Sequence, residues 1–284
     1  MVMKSKALEI LENNNLNWSV KKEKLVTNDG KITDSFGMFR SDTNDWLGTV
    51  GPQYVPLQNI EMLDFVLDIS EQLELPIDKG GHFKDGRKVF IQLKLDTQHI
   101  GTSDVHRWLT ITNSHDGSSS ITIGYSNKVV NCDNQFHRLG QQGNKIRHTI
   151  SAETKVNEKV DQVKDYLIEE GNLIQYFDRM QASDLKDEAL EKTLWSLFEI
   201  NKNTKQSEVS TKKKNQIIKL SEAVNDEVNA HGKTLWALFN GVTRYTNHVA
   251  SPNNEDQKES YLRNGGGYKL NNKAFNTILP FLMI

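Results

Sequence analysis

The chain has 284 residues and a single cysteine, Cys132. That count excludes an intramolecular disulfide and any cysteine-rich zinc site, and it fits a reducing compartment. No apolar run approaches the ~20 residues that cross a bilayer. The opening Met1-Val2-Met3-Lys4-Ser5-Lys6 lacks the apolar centre and small-residue cleavage site of a signal peptide. The eight histidines never fall into HExxH or a similar ligand spacing, and no carboxylate cluster marks a Mg²⁺ site. The expectation is a cytoplasmic protein with no membrane partner, no metal and no other cofactor. Internal repeats and low-complexity linkers are also missing, so no stretch marks itself as an independently folding unit.

What is present is an uneven charge. Hydrophobic residues make up 36% and charged residues 25%, a soluble globular balance with ample material for a core. The net charge is only −2. Residues 1–78 hold seven Lys/Arg against thirteen Asp/Glu, 79–148 hold ten against five, and 149–284 hold eighteen against nineteen. The basic excess thus falls in the middle segment, where an anionic partner would be met. The plain alternative is solvated charge without a partner.

Periodicity divides the chain into an α+β first part and a helical second part. Lys6 to Asn13 reads as a short helix, and Asn28-Asp29-Gly30-Lys31 as the turn of a hairpin between Lys24–Thr27 and Ile32–Phe36. Trp46 to Gly51 reads as a short strand. Ile60, Leu63, Leu67 and Ile69 give helical spacing over 58–74, ended by Pro76. Lys88–Leu95, Arg107–Thr112 and Ser120–Tyr125 alternate as strands with one wet face. Asn113 to Ser118 turns the last two into a hairpin. The stretch between His99 and His106 and the stretch 135–148 read as loops. Val156, Val160, Val163 and Leu167 place a long amphipathic helix over 151–170, with Ser151 or Thr154 as its cap. Further helices fit 184–200, 207–230 and 233–248, with loops at 201–207 and 253–258. The expected fold is α+β: a central antiparallel β-sheet with flanking helices in 1–170, and a mostly helical region in 171–284 packed on or extending it. The apolar Thr277–Ile284 is expected to dock on the body or on a neighbouring subunit.

One ordered run of motifs stands out. It comprises Leu47-Gly48-Thr49-Val50-Gly51, Tyr54-Val55-Pro56-Leu57-Gln58-Asn59, His115-Asp116-Gly117-Ser118, Cys132-Asp133-Asn134 and Arg147-His148-Thr149. The run resembles the phage/plasmid-like protein family DUF 932 over about residues 40–165, with a fainter echo at Trp236–His248. That resemblance implies a mobile-element context in a bacterial host and leaves the chemistry open. The order helix, antiparallel sheet, long helix is also similar to the ring-forming single-strand annealing proteins of the Erf and Sak type. In those a basic groove between sheet and helix holds single-stranded DNA. This second likeness is topological, and fold alone does not fix function.

A strand of nucleic acid held without sequence readout needs cations for phosphates and aromatics for stacking. The candidate contacts are Lys84, Arg87, Lys88, Lys94, Arg107, Lys128, Arg138, Lys145, Arg147 and His148, with Lys79 in the same basic set. The candidate aromatics are Phe83, Trp108, Tyr125 and Phe136. Alternation places Lys88, Phe90, Gln92 and Lys94 on one face and Val89, Ile91 and Leu93 on the other. Arg147-His148-Thr149 precedes the long helix, whose N-terminus favours an anion. No residue is assigned a catalytic role. The lead expectation is a non-enzymatic, homo-oligomeric single-stranded DNA-binding protein that promotes annealing or recombination. Two alternatives stand beside it: a host-interaction or anti-defence protein that binds another protein, and an enzyme using His115, Asp116, Cys132 or His148. Cys132 beside Val129-Val130 also fits a small buried residue, and His115-Asp116-Gly117 also fits a plain turn.

Overall fold

The computed structural model describes residues 2–119, 121–130, 132–139, 145–146, 160–201, 204 and 208–282. After helix α1 (Val2–Asn13), strands β1 (Val20–Val26) and β2 (Ile32–Arg40) pair antiparallel from Val20↔Arg40 to Val26↔Ile32. Asn28-Asp29-Gly30 turns the chain between them, with Gly30 at φ +83° as such a turn requires. Strand β3 (Trp46–Val50) joins β2 to complete a three-stranded sheet. Helix α2 (Asn59–Gln72) is fixed at its start by the Gln58 N–H donating to Glu61 Oε2 at 2.6 Å. It buries Met62, Leu63, Phe65, Val66 and Ile69.

The second sheet runs in the order β4 (Ile77–Phe83), β5 (Lys88–Ile100), β6 (Ser103–Ser114), β7 (Ile121–Val129), β8 (Gln135–Leu139), with β9 (Lys145–Ile146) also paired to β7. Helices α3 (Val160–Ala182), α4 (Asp187–Phe198), α5 (Thr211–His231) and α6 (Leu235–Arg244) follow. A π-turn (Tyr245–Val249), α7 (Glu255–Asn264), α8 (Gly266–Ile278) and a 3₁₀ turn (Leu279–Leu282) end the described chain. The protein is α+β with antiparallel sheets and a helical C-terminal half, as the periodicity indicates.

Two compact units form. The first comprises residues 1–95, 108–125 and 139–167, and its core joins Trp18, Met38 and Leu47 to Leu63, Val66, Val89, Ile91, Leu93 and Ile111. The second comprises residues 96–107, 126–138 and 168–284, and its core is aromatic: Phe136, Phe177, Trp236, Phe239 and Phe275. The Phe136 ring stands edge-on to Phe239 at 5.1 Å and stacks on Phe275 at 5.7 Å.

Several local expectations are corrected. The stretch between His99 and His106 is no loop. β5 runs to Ile100 and β6 starts at Ser103, so Thr97 Oγ1 meets His106 Nδ1 at 2.9 Å and His99 pairs with Asp104 at 2.5 Å. Residues 135–139 form β8 rather than part of a loop. The loop expected at 253–258 is cut short by α7, whose cap Asn254 accepts the Gln257 N–H at 3.0 Å. The last described residues pack on their own unit, with Leu282 buried and its carbonyl accepting from Arg179 Nη2 at 2.5 Å. Ser151, Thr154 and the rest of 147–159 lie outside the described residues. No helix among the described residues is long and apolar enough to cross a membrane.

Candidate nucleic-acid interface

The motif residues of the first unit converge on a buried hydrogen-bonded knot. Asn59, the first residue of α2, donates from Nδ2 to the carbonyls of Leu16 and Trp18, both at 3.0 Å. Its Oδ1 meets His115 Nε2 at 2.9 Å. Gln58 pairs with Val20 like a strand neighbour, accepting its N–H at 2.8 Å and donating to its carbonyl at 3.1 Å. Tyr54 donates its hydroxyl to the Ser114 carbonyl at 2.8 Å, and Asn113 donates to the Leu57 carbonyl at 3.1 Å. A Cβ on Gly48 would stand 3.0 Å from Asp116 Cα, so β3 passes the Asp116 turn at a distance that only glycine permits without movement. The Leu47–Gly51, Tyr54–Asn59 and His115–Ser118 motifs therefore hold three chain segments together.

This arrangement gives His115 and Asp116 structural tasks. His115 is fully buried, edge-on to Trp18 at 5.3 Å. Burial works to raise the Asp116 carboxyl, but hydrogen bonds from Ser114 and Ser118 and the charge of Lys88 outweigh it and hold the group below its ordinary value. In the second unit, Cys132 is half-buried, and burial pushes its thiol up to about 11. His248 Nε2 meets the Cys132 carbonyl at 3.1 Å, and burial lowers the imidazole. A thiol so raised is a weak nucleophile at neutral pH. Iodoacetamide is expected to alkylate Cys132 at pH 7.5 at least tenfold more slowly than free cysteine, with a rate that climbs through pH 10. A plateau near pH 7 would show an activated thiolate instead. Among the described residues no group of three or more His, Cys, Asp or Glu could hold a metal ion.

The sequence-derived cations are divided between the two units. Lys84, Arg87, Lys88 and Lys94 belong to the first unit, Arg107, Lys128 and Arg138 to the second. The expected wet face of β5 is covered: Lys88 is 6% exposed, Phe90 and Gln92 are buried beside it, and only Lys94 reaches solvent. Lys88 Nζ bonds Ser119 Oγ at 3.2 Å, and desolvation lowers its pKa against the opposing pull of Asp116. Arg107 is 8% exposed and donates to the Asp96 carbonyl at 2.7 Å. Neither cation is presented to a strand on the surface. Lys128 pairs with Asp133 at 2.8 Å, and the Arg138 guanidinium lies 4.9 Å above the Phe275 ring. Lys145 is described only as part of β9, and Arg147 and His148 lie outside the described residues. The four candidate aromatics, Phe83, Trp108, Tyr125 and Phe136, are all buried. They cannot stack on bases.

One aromatic that the sequence reading passed over is placed to do so. Trp46 opens β3 and is 50% exposed, with the Arg87 guanidinium 5.2 Å from its ring centre. The β4–β5 turn that carries Arg87 also carries Lys84, held at φ +56°. Lys94 is exposed on β5, the strand that this turn leads into, about 23 Å from Arg87 at strand rise. Trp46 and Arg87 thus form an indole-and-cation pair within one unit, and Lys84 stands on the turn that carries Arg87. The signal for it was an aromatic at the first, edge position of a strand.

A family model described as "Domain of unknown function (DUF932)" matches residues 46–269. No curated protein and no solved structure matches the chain.

Proposed function

We propose, on the premise that this chain belongs to the DUF932 family, that it is a phage- or plasmid-encoded protein that binds single-stranded DNA in the host cytoplasm. It promotes annealing or recombination without covalent chemistry. The observation that carries the reading is the half-exposed Trp46 with the Arg87 guanidinium against its ring and Lys84 on the adjoining turn. A flat π-face offers any base a stacking surface, and flanking cations neutralise the backbone, so binding tolerates every sequence. Bases stacked at their faces keep their pairing edges available for a second strand. The contacts of the proposal are therefore Trp46, Lys84, Arg87 and Lys94, with Lys88 and Arg107 withdrawn from the set on account of their burial. Side-by-side assembly along the strand, as in the Erf and Sak type, belongs to the same proposal. The partly exposed α1, with Leu8 at the surface, is its candidate subunit contact.

Base stacking is worth ~1–3 kcal/mol per base, so Trp46→Ala is expected to raise the Kd for oligo-dT by about 5- to 150-fold, and Trp46→Phe to restore part of the loss. Titration of labelled oligo-dT by anisotropy reads this directly. Equal affinity of native protein and folded Trp46→Ala would remove the indole from the interface.

A second reading rests on a different observation. Val26 and Ile32, paired at the end of the first hairpin, are 61% and 67% exposed. Two neighbouring exposed apolar side chains at the end of a hairpin suit contact with another protein. Under that reading the protein binds a host protein, association is insensitive to salt and to DNA, and Val26→Ser with Ile32→Ser abolishes it.

A further inference from the structure

A strand at the end of a sheet has backbone groups that need partners, and asparagine side chains supply some of them in the second sheet. At β4 the Gly80 N–H donates to Asn14 Oδ1. At β8 the carbonyls of Gln135 and His137 accept from Asn247 Nδ2 at 2.9 Å and Asn272 Nδ2 at 3.0 Å. The outer edge of β1 starts in the same way, because Gln58 exchanges both hydrogen bonds with Val20. Beyond Val20 the edge is open. Ser19 bonds toward β2, donating its N–H to Ser41 Oγ and accepting the Ser41 N–H, each at 2.9 Å. Thr27 at the far end does the same, donating to the Lys31 carbonyl at 2.8 Å. Backbone groups of successive strand residues point to opposite sides. Lys21 and Glu23 therefore bond β2, and Lys22, Lys24 and Val26 turn their N–H and C=O groups outward with Val20. No strand among the described residues pairs with that edge.

We infer that the outer edge of β1 is a docking site for an extended, acidic segment of a partner protein, which adds to the sheet as a fourth strand. The charges choose the partner. β1 reads Val-Lys-Lys-Glu-Lys-Leu-Val, three lysines against the one Glu23. Lys22 and Lys24 share a face and both reach the Phe36 ring, with Nζ at 4.5 and 5.9 Å from its centre. Lys22 also donates to the carbonyls of Pro52 and Tyr54, at 2.8 and 2.7 Å, and its charge is spoken for. Lys21 and Lys24 are exposed, one on each face of the strand. Lysine on an edge strand discourages pairing with a like-charged strand, whereas opposite charges on cross-strand neighbours attract. A second copy of β1 would bring lysine-rich strands together. An added strand with carboxylates opposite Lys21 and Lys24 turns the same charges into attraction.

The exposed Val26 and Ile32 lie at the end of this edge and give the same segment an apolar contact. Backbone pairing supplies the attachment, and the lysines with the apolar pair supply the selectivity. The inference shares Val26 and Ile32 with the protein-binding reading and rests on that reading. It is independent of DNA binding.

Amide hydrogen exchange, read residue by residue by NMR on the native full chain, tests it. In the free protein the amides of Lys22, Lys24 and Val26 exchange about tenfold or more faster than those of Lys21 and Glu23. A capped peptide of alternating glutamate and valine slows those three by about tenfold or more and leaves Lys21 and Glu23 unchanged. The same peptide with lysine in place of glutamate gives no protection. The inference is overturned if the glutamate peptide protects none of the three amides. It is also overturned if they are already protected in the free protein, as a dimer joined through β1 would make them. A peptide N-methylated at every residue keeps its charge and loses its donors, and it should not bind. Should it bind as tightly as the parent, with Val26→Ser and Ile32→Ser weakening both, strand addition falls and the protein-binding reading stands. The decisive comparisons use the native protein, so they hold even if a variant fails to fold.

Discussion

Replacing Asn59 by Ala is expected to destabilise the first unit by on the order of 3–5 kcal/mol, since three buried hydrogen bonds lose one partner and each buried group left unsatisfied costs ~1–3 kcal/mol. The carbonyls of Leu16 and Trp18 lose their donor, and His115 loses the oxygen that holds its ring. All three lie where water does not reach in the native packing, with Asn59 and His115 both buried. Asn59→Asp is the informative companion. A carboxylate can accept from His115 but cannot donate to either carbonyl, and its charge is buried, so it is expected to rescue little. Urea unfolding of the two variants measures the effect. A loss below about 1 kcal/mol for Asn59→Ala would mean that the knot is not what joins α2 to the segment before β1.

The second large effect concerns helix crossing in the other unit. Gly241 of α6 faces α5 so closely that a Cβ at this position would lie 2.5 Å from Val224 Cα and 2.9 Å from its backbone nitrogen. Both are backbone atoms, so no side-chain rotation relieves the clash and the helices must separate. Overpacking of this kind costs about 3 kcal/mol, at the upper end of its usual range. Gly241→Ala is expected to lower Tm by roughly 6–12 °C in a chain of this size, read by circular dichroism at 222 nm. Gly171→Ala is the matched control, because nothing stands within 4 Å of a Cβ there and the position is helical and exposed. It should be neutral or slightly stabilising. An unchanged Tm for Gly241→Ala would contradict the close crossing.

Much of the fold was legible because the residues that fix it act locally. Asn28-Asp29-Gly30 specified its hairpin, and the apolar spacing of Ile60, Leu63 and Leu67 specified α2. Two of the elements that were missed, β4 and α8, lack such local marks. β4 carries Gly80-Gly81 between Lys79 and His82, with no alternation to follow, and pairs with β5 through its backbone. Helix α8 begins at Gly266-Gly267, a poor start by local propensity, where Tyr261 packs so closely that a side chain would collide with its ring. Asn254, Glu255 and Asp256 did carry a legible start signal for α7, a cap followed by acidic residues in the first turn.

The candidate site was less legible, for a physical reason. Strand alternation separates two faces but does not say whether the second face is covered, since that depends on distant segments. Lys88 and Arg107 therefore looked like surface cations and are buried. Trp46 looked like the first apolar residue of a strand and is exposed beside Arg87. The motifs themselves were legible as motifs. Their tasks became visible only when Gly48 met Asp116 and Asn59 met His115 across more than fifty residues.

The central claim is most directly tested by anisotropy of labelled oligo-dT over a range of salt concentrations, with native protein and a folded variant combining Lys84→Ala, Arg87→Ala and Lys94→Ala. Each phosphate contact on a single strand contributes about 0.7 to the slope of log K against log salt. The account predicts that native binding weakens steeply with salt, and that the triple variant binds more weakly with a slope shallower by roughly two. Absence of binding by the native protein, or an unchanged slope in the triple variant, would contradict it.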